Sequence, residues 1–72
     1  MKASYRKYAA IRDSLGLNDL AVSRESGVAT ATLSNWKATV DERQGGYRPK
    51  VENLSKLAKA LGCEVLDLME ED

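Results

Sequence analysis

The chain has 72 residues, 43% of them apolar, and contains one proline, one cysteine and no histidine. That length supports one domain, residues 1–72, which buries only about 60% of the surface its unfolded chain exposes; a single cysteine rules out an internal disulfide, and the missing histidine removes the commonest general base and the commonest metal ligand. Eleven acidic and eleven basic side chains balance to a formal charge of zero, and they break every apolar run too early for a membrane span.

Helical periodicity dominates the chain from its start. Ser4 is placed to cap a first helix in which Tyr8, Ile11 and Leu15 recur on one face, and Gly16 ends it. Asn18 is a good cap for a second helix, with Asp19 favourable in its first turn and Val22 and Ser26 on one face, and Gly27 stops it. The stretch SGVATATLSNWK, residues 26–37, then carries Leu33 and Trp36 three apart, the spacing of a buried helical face. Residues 38–50 read as an extended loop, because Gly45, Gly46 and Pro49 break a helix. A small hairpin about Gly45-Gly46, using Thr39, Val40 and Tyr47, is the alternative there. Leu54, Leu57, Ala58 and Leu61 define an amphipathic helix stopped by Gly62, and Val65, Leu68 and Met69 a short final helix. The reading is all-α, five helices around one core, with residues 1–4 and 70–72 as flexible ends.

Cys63 is expected to be a small buried or half-buried residue, its pKa raised rather than lowered by the neighbouring Glu64. No cluster of cysteine and carboxylates has metal-ligand spacing, and no glycine-rich loop follows a strand. The expectation is a non-enzymatic protein with no cofactor, metal or small-molecule ligand. The N-terminal segment MKASYRKYAAIRDSLG has no uninterrupted apolar core, so it does not read as a signal peptide, and a cytoplasmic location is expected.

The zero net charge conceals a segregation. Residues 1–37 carry six bases against three acids, residues 38–63 five against three, and residues 64–72 five acids and no base. A mildly basic body is compatible with a polyanionic partner, and equally with simple solubility.

Two short helices separated by a glycine turn, the second amphipathic, make a helix-turn-helix pattern. Gly27 can take the unusual backbone conformation at the turn, and Val28 after it can plug into the core. With Leu33 and Trp36 inward, Thr30, Ala31, Ser34 and Asn35 face outward or sideways. All four are small and uncharged, which lets a backbone approach base edges closely; Asn can pair bidentately with adenine, Thr and Ser can hydrogen-bond bases, and the methyls of Thr and Ala can touch thymine. A scaffold helix with a polar face would have the same pattern.

The order LGLNDLAVSRESGVATATLSNWK, then a loop with a late proline, then ENLSKLAKALGCEVLDLM resembles the Cro/C1-type (XRE) family of helix-turn-helix transcriptional regulators over about residues 5–69. The resemblance rests on Gly27-Val28, on Thr32-Leu33-Ser34-Asn35-Trp36-Lys37, and on Leu57-Ala58-Lys59-Ala60-Leu61-Gly62-Cys63 followed by Leu68. It implies a compact five-helix, lambda-repressor-like domain with the helix-turn-helix at helices 2 and 3. It further implies that a recognition helix of about residues 30–37 reads bases through Thr30, Ala31, Ser34 and Asn35, with Thr32 near the backbone. Phosphate contacts would fall to Asn18, Thr32, Lys37, Arg43, Tyr47, Arg48 and Lys50. The implied function is sequence-specific binding of double-stranded DNA as a transcriptional regulator, a repressor by analogy.

Three positions depart from the family pattern. The connection from Trp36 to Pro49 is about six residues longer than in the family. Lys37 stands where many members carry a glutamate paired with an arginine at the position of Arg12, leaving Asp41 or Glu42 as substitute partners. Asp19 replaces a neutral phosphate-contacting residue, and is expected to serve its own helix terminus or to point aside. A homodimer, formed by the C-terminal helices or only on DNA, is compatible with the family pattern. The alternative function is a protein-interaction module on the same fold, such as an antitoxin or partner-bound regulator. For DNA, cations must flank the outward face, and Arg12, Lys37, Arg43 and Arg48 are the residues to look to.

Overall fold

The computed structural model describes residues 2–42 and 49–71. It contains four α-helices among them: α1 (Tyr5–Ser14), α2 (Asp19–Ser26), α3 (Thr30–Glu42) and α4 (Val51–Leu61). A 3-10 turn, Val65–Leu68, follows α4. Two-residue strands, β1 (Lys2–Ala3) and β2 (Met69–Glu70), then pair antiparallel, Lys2 opposite Glu70 and Ala3 opposite Met69.

The helix ends are where cap chemistry puts them. The Ser4 hydroxyl accepts from the backbone N–H of Lys7, and the Asn18 side chain accepts from that of Ala21. Each satisfies one of the donors a helix N-terminus leaves open. Gly27 closes α2 and Gly62 closes α4, both in the left-handed region at φ 80° and 69°. Glu64 and Asp67 form a reciprocal capping box around the 3-10 turn.

Three expectations need correction. The final helix is a single 3-10 turn of four residues, so the chain has four α-helices among the described residues rather than five, and Met69 belongs to a strand. α3 continues through Glu42, because no glycine or proline interrupts ATVDE, so residues 38–42 are helix and not loop or hairpin. The rest of the suggested hairpin, including Gly45, Gly46 and Tyr47, lies outside the described residues. The chain ends are tied together through β1 and β2, and Lys7 adds a 2.6 Å bond from Nζ to the Met69 carbonyl; residues 2–3 and 70 are therefore held rather than loose.

The core draws on every helix. Tyr5 and Tyr8 enter from α1, Val22 from α2, Val28 from the turn, Leu33 and Trp36 from α3, Leu54, Leu57, Ala58 and Leu61 from α4, and Leu68 from the 3-10 turn. Leu33, Leu57, Leu68 and Tyr8 are wholly buried, each aliphatic side chain contributing about 1.5–3 kcal/mol relative to exposure. Leu15, expected on the inner face of α1, is instead 52% exposed. It lies beyond Ser14, where the chain has already left the helix, and the inner face of α1 is carried by Tyr5 and Tyr8. The radius of gyration, 11.0 Å, is that of a compact chain of this length, about 11 Å. No helix among the described residues is long and apolar enough to cross a membrane.

Candidate nucleic-acid interface

α2 and α3 are joined by residues 27–29, and this turn is fixed by more than its glycine. The Ser23 hydroxyl donates to the Val28 carbonyl, and the Ser26 hydroxyl accepts from the Val28 N–H at 3.1 Å. Both polar groups of the Val28 backbone are thus satisfied by α2 side chains, while the Val28 side chain is buried. Ala29 offers its carbonyl to the N–H groups of Thr32 and Leu33 and starts α3. The serines in SRESGV were readable as a face; their clamp on Val28 was not, because it needs the turn to be closed first.

α3 buries Leu33 and Trp36 and exposes Thr30, Ala31, Ser34 and Asn35, with Thr32 half-buried. All four expected base-reading side chains therefore share the solvent-facing side of one helix. Ala38, three residues after Asn35 and four after Ser34, is also exposed. It extends the strip of small uncharged groups by one turn, and was missed only because the helix was ended at Lys37. The helix has 13 residues, about 20 Å of rigid rod.

The expected phosphate-contacting residues are divided. Lys37 and Lys50 are exposed, and Lys50 immediately precedes α4. Asn18 is exposed, its side-chain oxygen engaged with Ala21 N at 2.8 Å. Arg43, Tyr47 and Arg48 lie outside the described residues. Arg12 is committed elsewhere: its Nη1 lies 2.8 Å from Asp19 Oδ1, and its Nε and Nη2 lie 3.0 and 2.9 Å from Asp13 Oδ1. The side chains of Asp41 and Glu42, the expected substitute partners, lie outside those described; the bonds to Asp19 and Asp13 remove Arg12 from the cations free to flank the α3 surface.

Asp19, in the first turn of α2, takes the second of the two courses expected of it and points aside: its carboxylate accepts from Tyr5 Oη at 3.0 Å, Tyr8 Oη at 2.8 Å and Arg12, partners on α1 that the sequence did not indicate. Burial alone would push the Asp19 carboxyl up, but the bonds from Arg12, Tyr8 and Tyr5 and the Arg12 charge outweigh it and hold the group below the usual carboxylate range. Burial, then the bond to Asp19, raises both tyrosines above their ordinary value. Burial of Arg12 opposes its charge, yet its bonds to Asp19, Asp13 and Tyr5 raise its pKa overall, so it stays a cation.

The two tyrosine rings carry α3. Tyr5 meets Trp36 edge-on at 5.4 Å and Tyr8 stacks on it at 5.3 Å. Such pairs are worth about 0.5–1.5 kcal/mol each beyond area burial. The Arg12 guanidinium carbon sits 5.9 and 5.7 Å from the Tyr5 and Tyr8 ring centres, within cation–π range.

Away from α3, an open groove of about 530 Å³ is lined by Lys7, Ala10, Ile11, Leu61, Gly62, Cys63 and Asp67. Burial, with Asp67 and Glu64 nearby, pushes the half-buried Cys63 thiol up, which keeps it protonated and unreactive at neutral pH. Among the described residues no group of three or more His, Cys, Asp or Glu could hold a metal ion. Comparison of the chain with protein-family models, with curated proteins and with solved structures yields no match. The functional reading therefore rests on the residues themselves.

Proposed function

We propose that the protein binds double-stranded DNA sequence-specifically, with α3 in the major groove, and acts as a transcriptional regulator, by analogy a repressor. The carrying observation is the exposed strip Thr30, Ala31, Ser34, Asn35 on a helix whose opposite side is fixed by Leu33 and Trp36. A major groove about 12 Å wide admits one helix, and small side chains let that helix approach the base edges. Asn35 is the group able to make a bidentate pair with adenine, and Thr30 and Ser34 can each bond a base. Lys37 at the end of this strip and Lys50 before α4 supply phosphate contacts, joined by Thr32, the Asn18 amide nitrogen and, by sequence, Arg43, Tyr47 and Arg48. The α2–turn–α3 arrangement with Gly27 in the left-handed region fits a lambda-repressor-like helix-turn-helix of the Cro/C1 type.

Selection of duplexes from a randomised pool, followed by gel-shift titration at several salt concentrations, tests the reading. The expected result is an enriched site whose affinity falls steeply with salt. The double variant Thr30→Ala, Asn35→Ala is expected to lose preference for that site while still binding unrelated duplex. Full retention of site preference in that variant sinks the recognition surface assigned to α3.

The second reading, a protein-interaction module such as an antitoxin, is supported by the acidic end. Glu70 is held on β2 and exposed, with Glu71 beside it, so carboxylates are presented from a fixed position. Under that reading the pool enriches no duplex.

A further inference from the structure

We infer that the Tyr5–Tyr8–Arg12–Asp19 cluster is a positioning device for base readout: it sets the seat of α3 through Trp36, and so controls sequence discrimination without touching DNA. The inference rests on the DNA-binding reading above and assigns that surface a support shared by three helices.

Beside the buried Leu33, two places at the ends of its inner side define the seat of α3. At its start, Val28 is buried and both its backbone groups are held by Ser23 and Ser26. Nearly two turns further on, Trp36 rests on the rings of Tyr5 and Tyr8. Two anchored points fix the direction of a rigid helix, and Asn35 is the neighbour of the second.

Those rings are not free to turn. Their hydroxyls converge on the two oxygens of one carboxylate, Tyr5 on Oδ2 and Tyr8 on Oδ1 of Asp19. Arg12 donates from one nitrogen to both the Tyr5 hydroxyl and Asp19 Oδ1. Asp19 is the first residue of α2. The carboxylate therefore ties the platform under α3 back to the helix that precedes the turn. No polar side-chain atom buried among the described residues lacks a partner, so the cluster is closed as it stands.

Loss of the carboxylate or the hydroxyls frees the rings and lets Trp36, and α3 with it, tilt. Short groups such as Asn35 and Ser34 cannot follow a tilt, because hydrogen bonds weaken steeply once length and angle depart from their narrow range. Long lysine side chains reaching phosphate can follow. Discrimination should therefore fall while non-specific affinity holds, a split that general loss of stability does not produce.

The test uses the full chain with Asp19→Asn, and separately the milder pair Tyr5→Phe, Tyr8→Phe, at a temperature where far-ultraviolet circular dichroism shows each variant folded. Trp36 is the only tryptophan, so its near-ultraviolet dichroism and fluorescence report the cluster with no DNA present. Titrations compare the duplex that the wild type selects, single-base variants of it, and an unrelated duplex. Expected are an altered Trp36 signal, a loss of discrimination of about tenfold, within the range of one good base contact, and affinity for the unrelated duplex within about twofold. An unchanged Trp36 signal, unchanged discrimination, or an equal loss on all three duplexes overturns the inference while leaving DNA binding intact. If the wild type enriches no duplex, the DNA-binding reading falls, and this inference with it.

Discussion

Gly27 has φ of 80°, and a Cβ built on it would meet nothing within 4 Å. The residue is required by its backbone conformation and not by space. Gly27→Ala is therefore expected to cost about 1–2 kcal/mol, the penalty of the left-handed region for an ordinary side chain, and Gly27→Asn less, since Asn tolerates that region. In a domain this small each kcal/mol lowers the melting temperature by about 4–8 °C, so thermal melts of the two variants separate conformation from crowding. Gly27 and the buried Val28 after it were legible in the sequence, because a glycine between two periodic stretches marks the point where one helix stops and the chain turns. Asp19 was not. Its partners Tyr5 and Tyr8 lie 14 and 11 residues away, and a first-turn acid looks like dipole chemistry until the first helix is folded over it. The same folding hid the role of Arg12, which pairs across the fold with Asp19.

At the scale of the element, α3 has two sides with separable consequences. Trp36→Ala removes a side chain only 3% exposed and is expected to cost about 3–5 kcal/mol by denaturant unfolding, a large share of the total stability of a small domain. Asn35→Ala, on the exposed side, should stay within about 0.5 kcal/mol of wild type in the same measurement. On the selected duplex it should instead lose about 1–3 kcal/mol of preference. A large unfolding effect from Asn35→Ala would mean that the strip is structural. The inner side of this helix was legible from the spacing of Leu33 and Trp36. Its far end was not: Thr39 and Val40 suit a strand, and the nearest breaker, Gly45, lies beyond them, so the reading stopped at Lys37 and missed Ala38. The paired ends β1 and β2 left no signal at all, since two-residue strands are too short for alternation to register.

For the molecule as a whole, the Asp19 cluster predicts how stability responds to pH. Asp19 is held below its ordinary value of 3.8 in the folded chain. Its contribution is therefore complete above the unfolded value and is lost as pH falls through the lower, folded one. Tyr5 and Tyr8 are raised above 10.0. They stay neutral in the folded chain where the unfolded chain ionises, so their contribution is complete below about 10 and is lost as pH rises beyond it. The two effects leave a flat window between roughly pH 4 and 10, bounded at each side by a different residue. Comparison with variants isolates this cluster from the other carboxylates. The gap in melting temperature between wild type and Asp19→Asn should be constant across that window and close below it; the gap between wild type and Tyr8→Phe should be constant and close above it. Either gap varying through the neutral range would mean that Asp19 and the tyrosines do not share their bonds in solution, and would remove the platform on which Trp36 rests.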